Sequence, residues 1–103
     1  MPIIYHLIRK ADWEAANSTG EVKPTSLEEE GFIHCSRDEE QLRAVARRLY
    51  SGIADMMVLE VDTQLLESPL KYEPSRSGEI YPHIYGGLNA TAVVGVRAIE
   101  AYG

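Results

Sequence analysis

Met56-Met57-Val58-Leu59-Glu60-Val61-Asp62 is the stretch on which the fold turns. It is apolar from Met56 to Leu59, with little alternation. A strand of that kind must be covered on both faces, so the stretch predicts a central strand. Just before it, Leu42, Val45, Ala46, Leu49 and Tyr50 recur at helical spacing and predict an amphipathic helix over 38–50. Asp38 is placed to cap that helix, Glu39 and Glu40 sit where its dipole favours them, and Ser51-Gly52 ends it. Glu39 and Arg43 are spaced as an i, i+4 pair.

Further upstream, Ile3 to Ile8 reads as a strand with Ile4, His6 and Ile8 on one face. Ala11 to Asn17 reads as a short helix, and Gly20 to Pro24 as a loop. Ser26 and Glu29 have the spacing of a capping box on a single helical turn that Gly31 stops. Phe32 to Ser36 is a short strand, with Phe32, His34 and Ser36 on one face and Ile33 and Cys35 on the other. Downstream of the central strand, Leu70 to Glu73 and Ala92 to Ala101 read as strands. Between them Ile80 to Gly87 is an aromatic segment punctuated by Pro82 and Gly86-Gly87. About five strands, one long helix and two shorter helical pieces do not alternate regularly. That order predicts an α+β fold rather than a doubly wound parallel sheet.

The 103 residues are sized for one domain spanning 1–103, with 45% hydrophobic and 25% charged residues. A net charge of −6 disfavours duplex nucleic acid as a partner, because phosphate backbones demand a basic footprint. Met1 to His6 shows no basic region ahead of a long apolar run, and no stretch approaches a membrane span. A cytoplasmic protein with no membrane partner is the expectation. A single cysteine excludes an internal disulfide and a Cys-rich zinc site.

Three histidines, His6, His34 and His83, each lie in a strand or strand-like segment. An imidazole in an apolar strand needs a hydrogen-bond partner or solvent, so three of them suggest one shared polar cleft. The plain alternative is three separately satisfied structural histidines. None of the pairs has the short spacing of a zinc motif, although dispersed histidines can converge on a metal. Strand parity turns Cys35 away from His34 and into the core, which argues against a catalytic thiol. Ser36 shares the face of His34 and reads either as a ligand contact or as a helix cap. Glu73, flanked by Tyr72 and Pro74, is a carboxylate that could orient a histidine. Pro82-His83-Ile84-Tyr85-Gly86-Gly87 combines fixed backbone, close-approach glycines and polar aromatics, a content more typical of binding than of mere connection. Arg9 and Arg37 each follow a histidine-bearing strand and are placed to bring positive charge to a pocket mouth.

Ile4-Tyr5-His6-Leu7, Ala11-Asp12-Trp13, Ser26-Leu27, Glu30-Gly31-Phe32-Ile33-His34-Cys35-Ser36 and Tyr81-Pro82-His83-Ile84-Tyr85-Gly86 together resemble the bacterial domain-of-unknown-function family 952. The resemblance covers almost the whole chain. That family is grouped by similarity with the ADP-ribosyltransferase-like superfamily. The grouping implies small packed β-sheets of about five to six strands, two to three flanking helices, and a cleft between the sheets. It implies NAD as the cofactor of members that act, which transfer ADP-ribose or remove an RNA 2′-phosphate. Under the same resemblance His6 matches a first-strand histidine that holds a ribose hydroxyl, and His34 a second one near the nicotinamide ribose. No Glu stands in an obvious motif matching the superfamily's later-strand Glu, and His83-Ile84-Tyr85 is peculiar to this family.

The candidate site is therefore His6, His34 and His83 as catalytic residues, with Ser36, Tyr85, Arg9, Arg37 and Gly86 as cofactor-binding residues and no assigned metal ligands. The expected partner is a small nucleotide-like or phosphorylated ligand. The leading reading is NAD-dependent ADP-ribosyl or RNA 2′-phosphate transfer. The rivals are a non-catalytic binding module and a metal-assisted hydrolase that uses the three histidines. A carboxylate within hydrogen-bond reach of the clustered histidines would favour an enzyme.

Overall fold

The computed structural model describes residues 2–102. In chain order its elements are β1 (Ile3–Arg9), α1 (Lys10–Thr19), β2 (Glu21–Val22), α2 (Thr25–Glu30), β3 (Ile33–His34), α3 (Glu39–Leu49), β4 (Met56–Asp62), β5 (Leu70–Pro74), β6 (Ile80–Ile84), β7 (Leu88–Asn89) and β8 (Val93–Ala98). The architecture is α+β, with three small antiparallel sheets ordered β1-β4-β8, β3-β6-β5 and β2-β7 among the described residues.

β4 is the middle strand of its sheet and both of its faces are covered. Val58 packs with Leu42 of α3 and with Tyr102, while Leu59 and Val61 join Ile4, Ile8, Ile33, Cys35 and Ile84 on the other side. Val58, Leu59 and Val61 are all 0% exposed, which is why the stretch lacks alternation. β1 lies at the edge of this sheet and alternates: Ile4, His6 and Ile8 are buried, with Tyr5 and Leu7 turned toward the smaller cluster around Leu42.

α3 begins as its residues demand. Asp38 accepts a hydrogen bond from the Gln41 backbone N–H at 2.8 Å, Glu39 and Glu40 occupy the first turn, and Arg47 and Arg48 the last. Glu39 lies 3.6 Å from Arg43. Only Gln41 and Leu42 of α3 are buried, however, and Leu49 is 58% exposed. The apolar stripe runs off the sheet at its C-terminal end, beside the cleft described below.

Several sequence expectations are corrected. α2 starts at Thr25, with Pro24 at the cap position and no side-chain cap, so Ser26 lies inside the first turn and the Ser26–Glu29 capping box does not form. The extended backbone of Pro24 sets that start instead (φ −70°, ψ 163°). Gly31 ends α2 as expected, in the left-handed conformation at φ 87°, with its N–H bonded to the Leu27 carbonyl. Residues 99–101 are not strand: Ile99–Tyr102 forms a 3₁₀ turn that tucks Tyr102 under Glu60. The described residues form eight strands rather than five or six, because three are only two residues long. Pairs that short carry no periodicity for the sequence to display.

Candidate functional site

Antiparallel pairing of β3 with β6 places His34 opposite His83, and pairing of β6 with β5 places His83 opposite Lys71 and Tyr81 opposite Glu73. Alternation then puts His34, His83, Tyr81, Lys71 and Glu73 on one face of the sheet, with Ile33 and Ile84 in the core on the other. This sheet touches the main one through a bridge at Tyr5 and Ser36. Tyr5 N–H donates to Ser36 O at 2.8 Å, and Ser36 N–H donates to Tyr5 O at 2.7 Å. That junction delivers His6 to the same place, where its Nδ1–H donates to the His34 carbonyl at 2.8 Å.

The three imidazoles differ in their partners. His6 is buried at 7% exposure, and a carbonyl can only accept, so its proton is on Nδ1 and Nε2 keeps a lone pair. Burial lowers its pKa, an effect larger than the opposing pull of the carbonyl, so the ring is held neutral. His34 is half exposed and its Nε2 lies 2.8 Å from Glu30 Oε2. His83 is buried, and its Nδ1 donates to Glu73 Oε1 at 2.8 Å. The Tyr85 hydroxyl donates to the same oxygen at 2.5 Å. These two bonds, Tyr85's first, hold the Glu73 carboxyl below the usual range, while the Glu73 acceptor raises the Tyr85 phenol. Phe32 stacks on His83 at 4.1 Å between ring centroids, and His34 meets the edge of His83 at 5.3 Å.

His6, His34 and His83 line one open cleft of about 1110 Å³, together with Ser36, Arg9 and Tyr81. One face of α1 (Asp12, Ala15, Ala16 and Thr19), the segment from Glu21 to Ser26, and the C-terminal part of α3 form its remaining walls. Arg48 and Lys23 also line it. Arg9 and Arg48 make no ion pair among the described residues, whereas Lys23 lies 3.3 Å from Glu21.

The other sequence candidates are placed differently. Tyr85 is not on the cleft wall; it lies beyond His83, with Lys71 Nζ over its ring at 4.9 Å and Phe32 at 5.4 Å. Arg37 turns away from the cleft and clamps the β5–β6 hairpin, bonding to the Ile80 carbonyl at 2.5 Å and to Glu79 at 3.2 Å. Gly86 has φ 150°, and a Cβ there would sit 2.4 Å from Ser68 Oγ. It serves a tight corner. Cys35 is buried among apolar residues, opposite in parity to His34, and burial pushes its thiol pKa far up. Ser36 does not cap α3; Asp38 does. The β4 carboxylates Glu60 and Asp62 accept from Arg97 Nε and from the Gln64 N–H respectively and have structural work.

Sequence reasoning missed Glu30, Lys71, Lys23 and Arg48. Glu30 stands four residues before His34, but a helix-to-strand turn at Gly31 intervenes, so helical spacing would not have justified the pair. Lys71 could have been found from its period-two relation to Glu73.

A family model described as a protein of unknown function, DUF952, matches residues 7–96. The chain belongs to that family. The crystal structure of protein CC0527 from Caulobacter crescentus is similar to it, at 32% identity and a TM-score of 0.84, covering 93% of this chain and 84% of that one. The solution NMR structure of CC0527 gives 32% identity and a TM-score of 0.81, over 95% of this chain and 84% of that one. No curated protein matches the chain. No described helix is long and apolar enough to cross a membrane.

Proposed function

We propose that the cleft binds a small phosphorylated, nucleotide-like ligand, and that the protein acts on it as a transferase of the ADP-ribosyl type. The observation that carries the reading is the lining itself: three histidines share one cleft with unpaired Arg9 and Arg48, in a chain of net charge −6. Arg9, Lys23 and Arg48 outnumber Asp12 and Glu21 on that lining, an excess of positive charge that suits an anion. Guanidinium groups bind phosphate bidentately, and a neutral His6 with a free Nε2 suits a ribose hydroxyl as donor. These residues fit NAD: Arg9 and Arg48 would hold its diphosphate and His6 a ribose. NAD would supply an ADP-ribosyl group with nicotinamide as leaving group. Removal of an RNA 2′-phosphate draws on the same lining, with the phosphate as the group held.

The Glu73 carboxylate in contact with His83 favours catalysis over a purely binding role, because a ligand-holding histidine needs no counter-charge behind it. The metal-assisted alternative gains no support from the donor geometry. Among the described residues no three His, Cys, Asp or Glu side chains are grouped to hold an ion.

NMR titration with NAD, ADP-ribose and nucleoside phosphates tests the reading. Saturable shifts at His6 and Arg9 are expected, weakened at least tenfold by an Arg9→Ala, Arg48→Ala double variant. Absence of shifts with every one of these ligands at millimolar concentration overturns it.

A further inference from the structure

We propose that His83 Nε2 is the general base for a hydroxyl of a sugar-bearing ligand, with Glu73 positioning the ring and Tyr85 fixing the carboxylate. For the ligand class this rests on the cleft reading above; the base assignment itself rests on separate geometry.

The tautomer comes first. A carboxylate only accepts, so the 2.8 Å contact fixes a proton on His83 Nδ1 and leaves the lone pair of the neutral ring on Nε2. That nitrogen has no hydrogen-bond partner. Among the described residues no buried side-chain nitrogen or oxygen is left unpaired, so Nε2 is open to the cleft that His83 lines. Ring rotation is restrained on two sides, by Phe32 stacked within 23° of parallel and by the edge contact with His34. Tyr85 fixes the carboxylate in turn.

A comparison of the three histidines selects His83. A base must take up a proton, and the imidazolium that results needs stabilisation. His6 has only a neutral carbonyl on Nδ1 and is buried, so its cation is disfavoured. His34 has spent Nε2 on Glu30, outside in solvent. Only His83 combines an open Nε2 with a carboxylate on Nδ1, and that carboxylate stays ionised through the neutral range. Lys71, over the Tyr85 ring, is the nearby cation of the cluster. In the step itself the ligand O–H bond breaks, its proton passes to Nε2, and the electron pair remains on the ligand oxygen. Nδ1 keeps its own proton, and the new positive charge rests against Glu73.

Imidazole ¹⁵N spectra at a pH where the rings are neutral test this directly. The wild type is expected to show His83 as the Nδ1–H tautomer. Glu73→Gln, which removes the charge behind the ring, should slow carbethoxylation of His83 by diethyl pyrocarbonate severalfold at that pH. Tyr85→Phe, which keeps the ring in place, should slow it by a smaller factor. A merely structural Glu73 would change stability and leave the tautomer and the reagent rate alone. An Nε2–H tautomer in the wild type, or an unchanged reagent rate in both variants, overturns the base assignment. A ribose phosphate separates the two readings. Shifts at Arg9 without any at His83 Nε2 overturn the base assignment and leave the cleft standing; no shifts with any ligand overturn the cleft, while the tautomer and the reagent rate still decide the base.

Discussion

The β1-β4-β8 sheet and the β3-β6-β5 sheet are both three-stranded and antiparallel, yet they are finished differently. In the first, apolar side chains cover both faces of the middle strand. In the second, the middle strand β6 turns Ile84 to the core and His83 to a face of imidazoles, aromatics and a carboxylate. One sheet is built to be stable and the other to hold polar groups at fixed spacing. The Tyr5–Ser36 bridge lets the first position the second, because it brings the buried His6 within bonding distance of the His34 carbonyl.

The largest expected effect falls on the first sheet. Leu59→Ala deletes a side chain that is 0% exposed in the centre of the core. A loss of about 2–5 kcal/mol is expected, read as a fall in the urea midpoint with little change in slope. A loss below about 1 kcal/mol would show that stability is not concentrated there.

Cys35 tests the boundary between the two sheets, since it lies on the core side of the strand segment that carries His34. Cys35→Ser puts a hydroxyl among apolar neighbours and should cost about 1–3 kcal/mol. Native Cys35 should label slowly with a mild thiol reagent and rapidly once urea unfolds the chain. Its thiol is raised by burial, so the unfolded state ionises first as pH rises. Stability should therefore decline above about pH 8.5, the unperturbed value, and the Ser variant should lack that decline. Rapid native labelling would place Cys35 outside the core.

The contrast between the sheets also explains what the sequence disclosed. The both-faced burial of β4 and the alternation of β1 were legible because each spans seven residues, enough for period to show. The capped start of α3 was legible because Asp38 acts through its neighbours in the chain. The two-residue strands β2 and β7 were not, since each exists only through a partner distant in sequence. In the site, strand parity correctly separated His34 from Cys35. It did not show that Arg37 is drawn away by Glu79, or that Tyr85 reaches Glu73 instead of the cleft wall, because both depend on how the β5–β6 hairpin folds back.

His6 belongs to the stable sheet and serves the polar one, so its titration reports on both. Its folded pKa lies below the unfolded value of about 6.5, and the unfolded chain therefore takes up the proton first. Stability should be full at neutral pH, fall as pH drops below about 6.5, and stop falling from this cause below the folded pKa. His6→Gln should flatten that part of the profile in urea unfolding at successive pH values. An unchanged slope would assign the acid sensitivity to other groups.

The smallest effect on stability is expected at His34, and that is why it sharpens the comparison most. Its side chain is half exposed, and its contact with Glu30 joins two half-exposed groups, a geometry that contributes little in water. The group that anchors His6 is the His34 backbone carbonyl, which His34→Ala leaves in place. Removal of the ring opens no core cavity, because Ile33 and Cys35 on either side fill the apolar face. The unfolding free energy should change by no more than about 0.5 kcal/mol. On the proposed reading the same substitution should weaken ligand binding in the cleft at least tenfold, since the ring lines the cleft and meets Phe32 and His83 in edge contacts. A large loss of stability without a change in binding would reverse the roles, making His34 part of the frame that supports the main sheet.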